Sequence, residues 1–539
     1  MGLFSKLPRF FNPEKNSLHF LNLAQFMGAL NDNIFKFVIA FLLIDIKGPD
    51  HASSIMWKAG LIFVVPFLLF SSTAGVLADR FSKQKLLQTI KAIEIATMVL
   101  AMIAFGLKSI WASYSLLFLL STHSAMFGPS KYAIISELVP KELVASANGL
   151  ITSFTYLAII VGTFLASFLT KISHHNFVIV AGFCLLVAII GFISTYGIKP
   201  TPPQGSHKRL NLLFVREIIH TLRFCKTRKH LLVAVFSSAY FLFIGSFVQL
   251  NIIPYTIHAL HLRDVVGGYL FLSTALGIAF GSYIGGKLSK RRIELGLSCF
   301  AGLFIALFLM LLWPFAGNLI TVIFFLLLLG IVGGLFIVPF DSFVQLYSPS
   351  EKRGQIIAAN NFLSFCGVFV ASLMLYLYSE ILNLSPEAGF FVTGALTLVI
   401  ALGMCIRLSD LSLPFLARAL LYPFSQVDAE GIEVVEKEGT VFILRQATWK
   451  KALLLLTVAP NLHLIVEKKS KRRFPWVNRL FYSIHLVPRD KMKEYVEKLL
   501  HRRLTPCLFE EGEELTIPGI SIDVHLADRH NRVVFSKIN

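Results

Sequence analysis

Residues 75–85 read Gly75-Val76-Leu77-Ala78-Asp79-Arg80-Phe81-Ser82-Lys83-Gln84-Lys85, the end of one long apolar run, a basic turn, and the start of another. A second stretch, Gly281-Ser282-Tyr283-Ile284-Gly285-Gly286-Lys287-Leu288-Ser289-Lys290-Arg291-Arg292, has the same grammar: glycines close an apolar run and cations follow. Small residues let helix ends approach closely, and Lys and Arg hold a turn on the cytoplasmic side of a bilayer. The two stretches occupy corresponding places in two halves of the chain, so the sequence predicts a duplicated membrane protein. Gly75, Asp79, Arg80, Lys83 and Lys85 in the first turn, with Gly281, Gly285, Lys287 and Arg291 in the second, are the candidates for gating.

Composition agrees. The 539 residues are 55% hydrophobic, include fifty Phe, and carry a formal charge of +19; the mean hydropathy is +0.70. A soluble chain of this length has a more ordinary composition. The cations gather in short turns and near the C-terminus, which membrane topology explains and nucleic-acid binding does not. The six Cys form no Cys-x-x-Cys pair, so neither a disulfide framework nor a metal site is expected. No nucleotide loop is present either, because Gly330, Gly333 and Gly334 lack the Gly-Lys-Ser/Thr ending and read as close-packing points. No cofactor is expected.

Residues 1–19 lack a small-residue cleavage pattern and read as a leader retained ahead of the first membrane helix. Helices are expected at about 20–46, 55–78, 86–107, 112–135, 146–170 and 176–197, each long enough to cross about 30 Å of hydrocarbon. A basic connection at 199–229 follows, with an amphipathic stretch at 212–225 whose cations suit anionic membrane lipid. Six more helices are expected at about 230–257, 266–286, 294–314, 318–347, 355–382 and 387–407. The domain boundaries are therefore 1–198 and 230–408 for two six-helix halves, and 420–539 for a polar tail.

Ionisable and amide residues inside these runs must face protein or water, since lipid cannot solvate them. Asp32, Asn33 and Lys36 stand in the first helix, and Asp32 and Lys36, one turn apart, could pair. They read either as a packing device between helices or as a polar site in a translocation path. Glu94 follows Lys91 by one turn and could pair with it or with Asp32. Pro129 removes a backbone donor and predicts a break or kink in the fourth helix, beside Lys131. In the second half Pro339 and Asn360 echo Pro129 and Asn148, and Asp341, two residues after Pro339, could cap a helix fragment or line the path. Asp32, Asn33, Lys36, Glu94, Lys131, Asp341, Asn148 and Asn360 are the candidate substrate-binding residues.

Residues 20–408 resemble the major facilitator superfamily, whose signature turn is approximated by Gly75, Asp79, Arg80, Lys83 and Lys85; Ser82 and Lys83 stand where that motif carries glycine and arginine. Gly28-Ala29-Leu30-Asn31-Asp32-Asn33, Phe127-Gly128-Pro129-Ser130-Lys131-Tyr132-Ala133-Ile134, Leu138-Val139-Pro140 and Ala145-Ser146-Ala147-Asn148-Gly149 are similar to the bacterial lysophospholipid transporter family. That resemblance implies a monomeric secondary transporter in the bacterial inner membrane with both termini cytoplasmic. It would bring lysophosphatidylethanolamine or lysophosphatidylglycerol to the cytoplasmic leaflet for reacylation by a separate acyltransferase or an acyl-acyl carrier protein synthetase. A facilitator for a soluble metabolite or drug shares every topological feature, and a bifunctional transporter-acyltransferase is the further alternative.

The tail resembles the glycerophospholipid acyltransferase domain through Leu464-Ile465-Val466-Glu467-Lys468-Lys469, Phe474-Pro475-Trp476-Val477, His485-Leu486-Val487-Pro488-Arg489-Asp490 and Leu508-Phe509-Glu510-Glu511-Gly512-Glu513. Gln446 stands where the family's histidine belongs and Lys451 where its aspartate belongs, so general-base chemistry is not expected and the chain has no catalytic residue. The expected fold class is thus an all-α, twelve-helix membrane protein in two halves, with a truncated and catalytically degenerate cytoplasmic α/β domain. Lys468, Lys469, Arg472 and Arg473 beside Trp476 read as a patch for the membrane interface.

Overall fold

The computed structural model describes residues 13–139, 144–201, 214–288, 293–349, 352–421, 426–430, 442–444, 462–467, 484–487, 494–497, 505–509, 520–525 and 530–537. Contacts divide the chain into two compact units, residues 1–283 with 308–394, and residues 284–307 with 395–539.

Six long helices come first: α1 (Pro13–Lys47), α2 (Ala52–Arg80), α3 (Lys83–Gly106), α4 (Ile110–Leu138), α5 (Val144–Ile172) and α6 (Phe177–Thr195). A short amphipathic helix, α7 (Phe214–Lys226), precedes α8 (Leu231–His258), α9 (Val266–Leu288), α10 (Leu295–Leu311), α11 (Leu319–Tyr347), α12 (Arg353–Tyr376) and α13 (Pro386–Arg407). The helix α14 (Ser409–Leu421) follows. Among the described residues ten helices are long and apolar enough to cross a membrane. The chain is a multi-pass membrane protein.

The helices are apolar around most of their girth because one side meets neighbours and the other meets lipid. Trp111, Ile103, Ile320 and Val399 are exposed, while Asp32, Lys36, Lys91 and Glu94 are buried. That inversion of the soluble pattern places polar chemistry inside. Close crossings use glycine: a Cβ on Gly277 of α9 would fall 2.9 Å from the Gly330 Cα of α11.

The turn at 75–85 is as short as its sequence implies. Phe81 N–H donates to the Leu77 carbonyl at 3.0 Å, α2 ends at Arg80, and Ser82 caps α3 by accepting from Lys85 N–H.

Two expectations are corrected. Pro129 does not break its helix: α4 is continuous from Ile110 to Leu138. Packed neighbours and local adjustment satisfy the carbonyl a proline frees inside a membrane bundle.

The second correction concerns the tail. Its described residues form strands β1 (Gln426–Glu430), β2 (Phe442–Leu444), β3 (Leu462–Glu467), β4 (Ile484–Val487), β5 (Thr505–Phe509), β6 (Ile520–His525) and β7 (His530–Lys537). They run in the order β1-β7-β6-β2-β5-β3-β4, parallel except for the antiparallel β6–β7 pair. Among the described residues the tail is a mixed sheet with one helical turn, at 494–497, and the acyltransferase-like α/β domain is withdrawn from the fold class. Gln446, Lys451, Lys468, Lys469, Arg472, Arg473 and Trp476 lie outside the described residues.

Candidate functional site

The first helix carries the site because its polar residues point to several neighbours at once. Asp32 accepts a hydrogen bond from Ser124 Oγ of α4 at 2.8 Å. Lys36 Nζ donates to Gln249 Oε1 of α8 at 2.8 Å, and Gln249 Nε2 donates to Thr163 Oγ1 of α5 at 3.1 Å. Asp32 and Lys36 are each buried and do not pair with one another, which corrects the sequence expectation. Their one-turn spacing permits a pair, but nearer partners on other helices take both heads.

Glu94 pairs instead within α3. One carboxylate oxygen lies 2.6 Å from Lys91 Nζ and the other accepts from Asn31 Nδ2 at 2.9 Å. Gly28 leaves room for the ammonium, since a Cβ there would come within 2.6 Å of Lys91 Nζ. Asn33 turns back onto its own helix and donates to the Ala29 carbonyl at 2.9 Å.

Lower on α1, Gln25 Oε1 accepts from Lys131 Nζ at 3.1 Å and from Thr155 Oγ1 at 2.9 Å. Gln25 Nε2 donates to the Ile151 carbonyl at 3.1 Å. In the later helices Asp341 of α11 accepts from Ser238 Oγ of α8 at 2.9 Å. Asn360 keeps a buried side-chain oxygen without a hydrogen-bond partner. The side chain of Asn148 is outside the described set, as are those of Gly75 and Asp79 and all of Arg291.

The expected gating residues separate. Lys83 is buried against Glu137 of α4, Lys85 is exposed and Arg80 half-buried. Gly281 faces the backbone of Ile331; Gly285 is buried and Lys287 exposed.

Contacts between the first six helices and the later ones cluster toward the face where α1 ends. Phe67 of α2 stacks on Phe365 of α12 at 4.5 Å. Trp57 lies 4.8 Å from Tyr376 and donates to Glu380 at 3.1 Å. At the surface His175 Nδ1 meets Asp45 at 3.0 Å and its Nε2 meets Arg263 at 3.2 Å. These contacts join the two sets of helices at that face.

Sequence reasoning passed over Gln25, Ser124, Thr155, Thr163, Ser238 and Gln249. The signal was an amide or hydroxyl in a membrane run, weaker than a charge but just as unable to face lipid.

Long apolar helices enclosing a buried polar seam, joined across one face, have the build of a multi-pass secondary transporter. The family model for the Major Facilitator Superfamily matches residues 21–372, and the chain belongs to that superfamily. The match stops ahead of the tail, so it carries nothing for the acyltransferase resemblance, which is withdrawn.

A lysophospholipid transporter from Escherichia coli O139:H28 is 26% identical over 345 residues, covering 63% of this chain and 82% of that protein. A lysophospholipid transporter from Shigella boydii serotype 18 gives the same figures of 26%, 63% and 82%. Among solved structures, a POT family transporter in complex with a thioalcohol-conjugated peptide superposes with TM-score 0.55 at 13% identity, over 75% of this chain and 99% of that one. A bacterial homolog to the human lysosomal transporter Spinster gives TM-score 0.52 at 16% identity, over 72% of this chain and 95% of that one. The two structural likenesses speak to the fold alone.

Proposed function

We propose that this transporter moves lysophospholipids, such as lysophosphatidylethanolamine and lysophosphatidylglycerol, across a bacterial inner membrane toward the cytoplasmic leaflet. The observation that carries the reading is the relation to lysophospholipid transporters across 82% of their length, joined to a seam that offers both signs of charge. Residues 1–198 and 230–408 act as the two halves, both termini are cytoplasmic, and the face where α1 ends is extracytoplasmic. The protein works as a monomer beside anionic lipid. Its product on the inner leaflet is a substrate for a separate acyltransferase or an acyl-acyl carrier protein synthetase.

A zwitterionic ethanolamine head offers an ammonium to a carboxylate and a phosphate to a cation. Asp32, held by Ser124, takes the ammonium, and Lys131, held by Gln25, takes the phosphate on the way out. Uptake of matched ethanolamine and glycerol lysophospholipids into proteoliposomes tests this. Asp32→Asn should slow the ethanolamine lipid more than the glycerol lipid, and Lys131→Ala should slow both. Equal losses in Asp32→Asn with none in Lys131→Ala would remove both residues from substrate binding. Uptake of neither lipid by the unaltered protein would remove the substrate class itself.

A further inference from the structure

Lys36 is a buried cation whose hydrogen-bond partner is neutral, with the Asp32 carboxylate one turn back attracting it without forming an ion pair. Its ammonium, 5% exposed as a residue, makes its hydrogen bond to the amide oxygen of Gln249. It otherwise lies against the rings of Phe37, at 5.0 Å, and Phe63, at 4.9 Å. Buried charges are normally paired with an opposite charge. An amide oxygen and two ring faces compensate the lost hydration only in part.

The geometry around Lys36 is also mechanically uneven. Gly162 brings α5 hard against α1: a Cβ at that position would stand 2.8 Å from the Leu30 carbonyl oxygen and 2.9 Å from Asn33 Cβ. Thr163, the next residue, receives the far end of Gln249. Gln249 therefore clips α8, the first helix of the later set, onto a fixed α1–α5 pair through two hydrogen bonds. Removing its bond to Lys36 weakens the join between the two sets of helices.

A second lysine also donates to a glutamine. Lys131 donates to Gln25, and Gln25 and Lys36 stand eleven residues apart on α1, about 16 Å along the axis at 1.5 Å per residue. Asp32 lies between them, about 6 Å from Lys36 along the helix. That interval matches the separation of the two charges in a phosphoethanolamine head.

We propose that Lys36 is a phosphate-ester-binding residue in the C-terminal half of α1, and that a phosphate oxygen and the Gln249 amide exchange at its ammonium. Arrival of the phosphate releases Gln249 from α1 and loosens α8; departure toward Lys131 lets Gln249 return and closes the face. A lysine suits this because its ammonium is a compact point charge with three rotatable donors. The lysophospholipid as the source of the phosphate rests on the function proposed above; the site's chemistry does not.

The test is equilibrium binding to the purified full chain in lipid nanodiscs. The probes are lysophosphatidylethanolamine, lysophosphatidylglycerol, chain-free glycerophosphoethanolamine and phosphate-free monoacylglycerol. Lys36→Gln should weaken the phosphate-bearing lipids at least about tenfold, the loss of one charge-assisted hydrogen bond, and leave monoacylglycerol unchanged. Lys36→Arg should retain most of the affinity, which guards against a glutamine variant that fails to fold. Gln249→Leu should tighten the phosphate-bearing lipids, because the competing amide is gone. Unchanged phospholipid affinity in Lys36→Gln, an equal loss for monoacylglycerol, or no gain in Gln249→Leu overturns the exchange. Lys36-dependent binding of glycerophosphoethanolamine without binding of either lysolipid would keep the phosphate site and overturn the lipid substrate.

Discussion

Lys83 Nζ lies 2.5 Å from a carboxylate oxygen of Glu137, joining the first turn of α3 to the last turn of α4. Lys83 is almost fully buried and Glu137 is one-fifth exposed, so water screens one partner and barely reaches the other. Glu137→Gln leaves a buried ammonium without its counter-ion and should destabilise the bundle by about 3 kcal/mol, the lower end for breaking a buried pair. Thermal unfolding in detergent reads this directly. An exchanged pair, Lys83→Glu with Glu137→Lys, should recover part of the loss; no difference between Glu137→Gln and the unaltered protein would make the pair a surface contact in energetic terms.

Glycines in the same bundle have opposite tolerances. Gly162 faces the backbone of α1, so Gly162→Ala must push α5 away from Leu30 and Asn33 and should lower both folded yield and uptake. Gly245, within α8, has open space where a Cβ would sit. Gly245→Ala should be neutral or stabilising by up to about 1 kcal/mol, because alanine loses less backbone freedom in a helix. Melting temperatures of the two variants side by side decide it.

The spanning helices were legible because a bilayer imposes a length and an apolar composition that local sequence records by itself. The contacts inside were not. Asp32 and Lys36 sit at a spacing that invites pairing, but Ser124 and Gln249 outcompete it, and those partners lie 92 and 213 residues away. Gln25 and Gln249 carry no charge, so a search for ionisable groups passes them by, although they hold Lys131 and Lys36. Pro129 leaves α4 unbroken, because neighbours in a membrane bundle can satisfy the carbonyl that a proline frees. Lys83 was placed by its motif but not its partner, since Glu137 arrives from the far end of another helix.

The helix α14 docks on α10 through one small residue. Gly296 faces the Leu411 carbonyl, a Cβ there would come 2.6 Å from Phe415 Cβ, and Phe415 stacks on Phe300 at 5.7 Å. Arg418 grips Glu294 with two parallel hydrogen bonds of 3.0 Å, the fork geometry that lysine cannot reproduce. Gly296→Val should lift α14 and expose Arg418 to trypsin, whereas Arg418→Lys should weaken the grip with a smaller gain in cleavage. Digestion mapped by mass spectrometry distinguishes them. Equal resistance in all three proteins would show that the contact is dispensable.

At the face where α1 ends, His175 Nδ1 meets Asp45, its Nε2 meets the Arg263 guanidinium, and the neighbouring Asp264 gives that face a dependence on pH. Burial pushes its carboxyl above the ordinary value, Asp45 adds to the push, and the Val265 N–H, His175 and Arg263 oppose it; one of its oxygens is buried without a hydrogen-bond partner. A raised carboxyl means that the folded state holds its proton more tightly than the unfolded state. Its contribution to stability is therefore lost as pH rises above the usual carboxylate range. Asp264→Asn removes that loss, so the variant should melt higher than the unaltered protein at neutral pH and show a flatter dependence on pH. A melting curve unchanged by Asp264→Asn across that range would mean that the carboxylate finds compensation at the surface.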